Sequence, residues 1–242
     1  MDLIKPAIFN EDPTVEVFFT ASNKSAVNKT GMNFSINAVA DKSSIKKNYQ
    51  ILFQELGWDQ DKIALARQIH GSKIALVDQP GIYEETDGLI TTTPGLPLGI
   101  QVADCAAVLV VDSEAKVVGA FHAGWRGAIN NIIPDGIKIM ASQNAQPERC
   151  KAYISPCISQ KHFEVGEEVA AQFPEEFCDR KNFKKPHIDL KKFIVHQLKM
   201  SGLTIENIEV SDSCTFENNR YFSYRRERES AGRMLGVIKI KP

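Results

Sequence analysis

The sequence predicts an α+β fold, a single layered domain over residues 1–242 in which mixed β-sheets are flanked by helices. Three observations carry this expectation. AAVLVVD (Ala106–Asp112) and VVGAF (residues 117–121) are β-branched apolar runs separated by a polar SEAK turn, as in paired strands of a covered sheet. Ile45, Tyr49, Leu52, Phe53 and Leu56 recur at the spacing of one helix face. Strand-like and helix-like segments alternate without an internal repeat, a low-complexity tract or a linker, and 43% hydrophobic residues in 242 suffice for a sizeable core.

Lys plus Arg (29) nearly balance Asp plus Glu (30), for a formal charge of −1. No global field therefore recruits nucleic acid or an anionic membrane, and any anion site must be local. MDLIKPAIFNEDP is broken by charges and prolines before a signal-length apolar run forms, and no later run approaches the ~18 residues of a membrane span. Five scattered cysteines without CxxC pairs argue against a disulfide framework or a zinc ribbon, so reduced thiols and a cytoplasmic location are expected.

In chain order, VEVFFT (Val15–Thr20) reads as a strand, followed by a polar loop through Asn23, Lys24 and Gly31 that is expected to be mobile. The first helix takes Asp41 or Ser43 as N-cap and Gly57 as its C′ residue. KIALARQIHGSKIALVD gives two short strands, residues 63–66 and 74–77, around a QIHGS turn in which Gly71 permits a positive φ. Pro94 and Pro97 break TDGLITTTPGLPLGIQV into extended pieces suited to edge strands or an irregular loop. A second helix after HAGWRG presents Ile129, Ile132, Ile133, Ile137 and Met140, with Pro134 kinking or restarting it. KAYIS reads as a strand, residues 165–173 as a short amphipathic helix and Leu190–Met200 as a third helix ending near Gly202. IENIEV and LGVIKI read as strands flanking the charged segment YFSYRRERESAGR.

His70, Cys105 and His122 all fall at expected strand ends. Two imidazoles and a thiolate suit Zn²⁺, and three protein ligands leave a fourth tetrahedral position open, as in catalytic sites. Their spacings match no zinc-finger rule, and a buried thiol with two hydrogen-bonded histidines fits the residue types equally well. HAGWRG opens onto a helix, so its backbone N–H groups with Arg126 offer a place for phosphate, against a plain glycine turn with a solvated arginine. Arg67 reads in the same two ways.

QIHGSKI, TDGLITT, QVADCAAVLVVD, FHAGWRGAINNII, ISPCISQKHFEVGEEV, SDSCTF and FSYRRERESAGRMLGVI together resemble the YfiH family, from about Val15 to the C-terminus. That family is also described as laccase-domain or polyphenol-oxidase-like proteins and as peptidoglycan editing factors. The resemblance implies a CNF/YfiH-like fold and a zinc-containing purine nucleoside phosphorylase with adenosine deaminase and methylthioadenosine phosphorylase activity. It places the metal ligands on His70, Cys105 and His122. It also raises interest in Arg225, Arg226 and Arg233 as substrate-binding residues beside Arg67 and Arg126. Asp87 and Asp104 read as general bases or as acceptors that orient a ligand histidine, against turn capping. Cys105 and His122 complete the candidate catalytic set, and purine nucleosides and phosphate are the expected small-molecule partners.

Two alternatives remain in view. A copper polyphenol oxidase with a multicopper cluster needs on the order of ten histidines, and the chain has five, which makes Cu²⁺ the weaker metal expectation. A Cys105–His122 hydrolase acting in cell-wall peptide editing needs the thiolate free of metal. The H-x-E and PCxxC pattern of zinc deaminases is absent, since His122 is followed by Ala123 and Gly124 and Pro156-Cys157 has no second cysteine.

Overall fold

The computed structural model describes residues 1–25, 30–37, 42–59 and 62–242. Strand alternation sets the architecture. In β14 (Met234–Ile240), Met234, Ile238 and Ile240 join one apolar core while Leu235 and Val237 join another. β8 (Ala106–Asp112) divides the same way, with Ala107, Leu109 and Val111 opposite Ala106, Val108 and Val110. Sheets buried on both faces need cover on both, and the chain supplies four layers. These are α1 (Lys42–Leu56), a first sheet, a second sheet, and a layer of α3 (Ile132–Ser142) with α5 (Leu190–Met200). Phe19, Ile100, Leu109 and Val118 are among the residues of the core between the sheets.

The first sheet is ordered β1 (Leu3–Ile4), β2 (Val15–Thr20), β14, β7 (Leu98–Val102), β3 (Ala64–Ala66) and β5 (Gly81–Tyr83). The second is ordered β13 (Ile208–Val210), β10 (Lys151–Ile154), β8, β9 (Val117–Ala123), β6 (Gly88–Thr91) and β4 (Ile74–Leu76). A two-stranded ladder of β11 (Cys178–Asp179) and β12 (His187–Ile188) completes the strands described.

The pairing directions gather many chain segments at one end. β3, β5 and β7 are mutually parallel, so they leave the first sheet at the same edge, where β14, antiparallel to β7, begins. β4, β6 and β8 share a direction because β4 is parallel to β6 and β9 is antiparallel to both β6 and β8. Three short crossovers between the sheets, β3 to β4, β5 to β6 and β7 to β8, therefore meet the exit of β9 and the start of β14. They carry His70, Asp87 and Cys105 respectively.

Several expectations change in this light. QIHGS crosses between sheets, since β3 and β4 lie in different ones, and His70, not Gly71, takes the left-handed conformation (φ 62°). β6 and β7 are buried interior strands, with Pro94 and Pro97 confined to the connection between them. The second helix divides into α2 (Trp125–Ile129) and α3 at left-handed Asn131 (φ 62°), and Pro134 sits harmlessly in the first turn of α3. The expected helix over residues 165–173 shrinks to α4 (Glu167–Ala170), and the first half of IENIEV is a 3₁₀ turn. Asp41 and residues 26–29 lie outside the described residues. The described part of the polar loop is anchored, the Asp2 amide donating to Asn23 and Lys24 pairing with Glu227. Gly57 does end α1 with φ 66°, and no described helix is long and apolar enough to cross a membrane.

Phe121, fully buried beside His122, lies in a slot left by glycines. A Cβ on Gly136 of α3 would meet its ring at 2.5 Å, and one on Gly119 at 2.6 Å. Alanine in mid-helix normally gains up to ~1 kcal/mol over glycine, whereas overpacking a sealed core costs ~1–3 kcal/mol. Gly136→Ala is therefore expected to destabilise the fold by about 1 kcal/mol in chemical denaturation. An unchanged or raised midpoint at constant m-value would mean that Phe121 has room to move.

Candidate metal centre and adjoining cavity

The site is built on the edge of β9. Gly88 pairs with Phe121 and Ala107 with His122, so Asp87 and Cys105 stand just beyond the ends of the two strands that flank His122. One ligand atom each from His70, Cys105 and His122 lies within 4.8 Å of the others. The two imidazoles meet edge to face, with ring centroids 4.9 Å apart. His122 is 3% exposed, Cys105 is half-buried and His70 faces solvent, so the group is open on one side.

Asp87 organises this cluster while fully buried itself. Its carboxylate accepts from the backbone N–H groups of Ile69 (3.2 Å), His70 (3.0 Å) and Gly71 (2.8 Å), which folds the β3–β4 crossover around it. The same carboxylate accepts from His122 Nδ1 at 2.7 Å. A carboxylate at this low pKa has no proton to give, so Nδ1 carries a proton toward Asp87 and Nε2 is the nitrogen left for the cluster. Burial works to raise the Asp87 pKa, but His122 and the loop amides outweigh it and the group stays below the ordinary carboxylate value.

The donors are tuned to one another. Burial would raise the Cys105 thiol, yet the charges and hydrogen bonds of His122 and His70 bring it down to about 6. Burial would lower His122, yet the Cys105 thiolate and then Asp87 lift it to about 9. Without metal, the pair is a thiolate facing an imidazolium. Gly124 is required beside it: a Cβ there would stand 2.8 Å from Cys105 Sγ.

The open side faces a cavity of about 450 Å³, the size of a small-molecule site. Ile158, Phe163 and Leu190 give it an apolar wall, and Trp125, Arg126, Arg225 and Arg233 line it as well. Among the described residues, none of these three arginines has a carboxylate partner. Arg126 lies over the Trp125 ring at 4.4 Å, Arg225 donates to the Glu164 carbonyl at 2.9 Å, and Arg233 donates to the carbonyls of Ala231 and Gly232.

Other candidate residues are placed elsewhere. Arg226 turns inward and donates to the carbonyls of Thr215, Phe216 and Tyr221 and to Glu227, closing the segment after β13. Arg67 pairs with Glu84 at 2.8 Å and lines a neighbouring cavity. Asp104, at φ 77°, uses one oxygen to accept from Thr215 Oγ1 and the other from the Arg225 amide, both at 2.6 Å. It holds the loop bearing Arg225 against the one bearing Cys105. Asp87 is sealed from the cavity by its four donors, whereas Asp104 lines it. At five residues, α2 is too short for the helix-dipole phosphate site expected at HAGWRG. Gln68 and Gln101 also line the cavity and lock in a reciprocal pair, Gln68 Nε2 to the Gln101 carbonyl (2.7 Å) and the Gln101 amide to Gln68 Oε1 (2.8 Å). No sequence pattern marks that pair, since Gln68 lies in the β3–β4 crossover and Gln101 on β7, far apart in the chain.

A family model described as "Multi-copper polyphenol oxidoreductase laccase" matches residues 16–241. The chain belongs to this laccase-like YfiH family. Among the relatives of this YfiH-family chain is a protein of Deinococcus radiodurans named "Purine nucleoside phosphorylase", 36% identical over 83% of the chain and 79% of the relative. Another, from an unknown prokaryotic organism, is named "Adenosine deaminase RL5" and is 32% identical over 78% and 79%. The crystal structure of YlmD from Geobacillus stearothermophilus superposes with a TM-score of 0.88 at 25% identity, covering 95% of this chain and 93% of that one. YfiH of Bacillus licheniformis gives 0.87 at 25% identity over 94% and 93%.

Asp87→Asn keeps the size of the side chain but removes the charge that orients His122, and loss of such a partner typically costs 10–100-fold in metal affinity. That loss is expected in competition against a chromophoric chelator, and unchanged affinity would show that the loop alone orients the ligands. With Cys105 near 6 and His122 near 9, the metal-free cluster at pH 7 holds its proton on His122. Binding of Zn²⁺ at pH 7 is therefore expected to release about one proton, read by calorimetry in buffers of different ionisation enthalpy. Release of about two would mean that Cys105 is a thiol and His122 an imidazolium at the same time beforehand.

Proposed function

We propose that this chain is a zinc-dependent purine nucleoside phosphorylase, a single domain acting in the cytoplasm. It cleaves adenosine, inosine and methylthioadenosine with phosphate to the base and the (methylthio)ribose 1-phosphate, and deaminates adenosine as a side activity. One observation carries the reading. A three-donor metal cluster opens onto the same cavity as Arg126, Arg225 and Arg233, which no carboxylate neutralises among the described residues. The names of the relatives at 36% and 32% identity support the same chemistry.

The donor set fits Zn²⁺. One thiolate and two imidazoles are its preferred ligands, ligand atoms within 4.8 Å of one another are compatible with bonds of about 2.0–2.3 Å, and three donors leave a position open. Zinc bound there would supply Lewis acidity toward the purine. The chain itself does the rest. Arg126, Arg225 and Arg233 hold the phosphate dianion and keep it directed at the ribose, where its charge stabilises the cation that develops as the glycosidic bond breaks. Ile158, Phe163 and Leu190 exclude water from the face against which the base lies. Asp87 keeps His122 in one tautomer, and Asp104 fixes the loop from which Arg225 projects.

A multicopper cluster finds little support, because the remaining histidines lie apart from the site. His162 pairs with Glu217, the His187 ring bonds the Gln160 carbonyl and His196 packs on Phe177. A Cys105 nucleophile would need the metal absent.

Purified protein given inosine is expected to yield hypoxanthine and ribose 1-phosphate only when phosphate is present. Free ribose at an equal rate without phosphate would replace phosphorolysis by hydrolysis. Arg225→Ala removes a charge-assisted contact worth ~1.5–3 kcal/mol, so the KM for phosphate is expected to rise about 10- to 150-fold with metal content unchanged. An unaltered phosphate KM would move the anion site to Arg126 and Arg233.

A further inference from the structure

A second cavity of about 630 Å³ lies beside the first, between α1 and the β3–β5 edge of the first sheet. The two share Ser35 and Asn37 as a common wall. Its floor is apolar, formed by Ile45, Phe53, Ile63 and Leu65, all buried, while the half-exposed Ile82 of β5 stands at the mouth. Its charges are of one sign. Lys42 and Lys46 on one side and Arg67 on the other line it, and no carboxylate lines it among the described residues.

Arg67 is neutralised by Glu84, but neither Lys42 nor Lys46 has an ion pair among the described residues. Four residues apart on α1, the two lysines are neighbours on one helix face, where like charges repel. A greasy floor beneath a cationic rim, uncompensated among the described residues, is complementary to a molecule with an apolar body and an anionic head. The cavity volume falls in the range of small-molecule sites.

We propose that this second cavity binds a small amphipathic anion, an apolar chain or ring carrying one carboxylate or phosphate. The head lies at Lys42 and Lys46 and the body on Phe53, Ile63 and Leu65. The site uses neither the metal ligands nor the three arginines of the first cavity, so it stands whether or not the phosphorolysis reading does.

Calorimetric titration of the metal-loaded protein with decanoate, decyl phosphate and decanol tests it. Saturable binding of at least one anion, with decanol weaker, is expected. Lys42→Ala/Lys46→Ala is expected to weaken anion binding roughly 2- to 30-fold while leaving decanol unchanged, as expected for the loss of two exposed charge contacts. Ile82→Asp, at an exposed position, is expected to weaken the anions further by placing a negative charge at the mouth. The preferred head group, carboxylate or phosphate, separates an acyl-type ligand from a phosphoester. Metal content and thermal midpoint confirm that the variants are folded. No saturable anion binding, decanol binding as tightly as decanoate, or full anion affinity in the double variant would each overturn the proposal.

Discussion

The cluster of His70, Cys105 and His122, which could hold a metal ion, depends on one buried carboxylate. A charge removed from water costs several kcal/mol unless it is paired and hydrogen-bonded, and Asp87 has four donors within 3.2 Å. Three belong to consecutive backbone amides of one crossover and the fourth to the ring of a ligand on β9. The chain cannot satisfy Asp87 without bringing His70 to His122. The same contacts hold His70 at φ 62°, a conformation that costs a non-glycine residue roughly 1–2 kcal/mol. Strain at one ligand is thus maintained by the bond that orients another.

That carboxylate is also the part of the site least legible in the sequence. Cys105 and His122 were readable because β8 and β9 form a hairpin of local pairing, and their β-branched runs announce it. His70 reads as a strand-end candidate ligand and Asp87 as a candidate acceptor for a ligand histidine, but nothing local says which histidine Asp87 meets or that it also binds the His70 loop. Their meeting depends on β3, β5 and β7 pairing in parallel across long separations, and hydrophobic periodicity reports burial without naming the partner. Two short apolar runs flanking QIHGS fit a hairpin as well as a crossover between sheets. The helices follow the same logic. Leu190–Met200 was legible to the residue because Asp189 caps it, its side chain accepting from the Lys192 amide, and its apolar stripe is unbroken. The break at Asn131 was not, because a left-handed asparagine leaves the periodicity on either side intact, and Pro134 drew attention three residues too late.

The charged segment before β14 illustrates a similar limit. Arg225 and Arg226 are adjacent, and nothing in composition separates them. In α6 (Tyr224–Glu227) they project to opposite sides, Arg225 toward the cavity and Arg226 into the carbonyls of its own loop. Ser223 caps that turn by accepting from the Arg226 amide, and Asp104 accepts from the Arg225 amide. One carboxylate on the Cys105 loop therefore helps to hold Arg225, and not Arg226, at the cavity.

A formal charge of −1 gives this protein no long-range field for anions. Both cavities concentrate positive charge locally instead, and each leaves guanidinium or ammonium groups without carboxylates among the described residues. The cost of such an arrangement is repulsion in the free protein, and it is lowered only when an anion binds. In the first cavity Arg225 and Arg233 are each held by backbone carbonyls and Arg126 lies over the Trp125 ring, so part of the positive charge is fixed before any anion arrives. The lysines of the second cavity are flexible and exposed, which suits a binding site of modest selectivity but not the placement of a reacting phosphate. Chemistry on the proposed reading therefore belongs to the first cavity on grounds of rigidity alone, independent of the metal cluster that shares it.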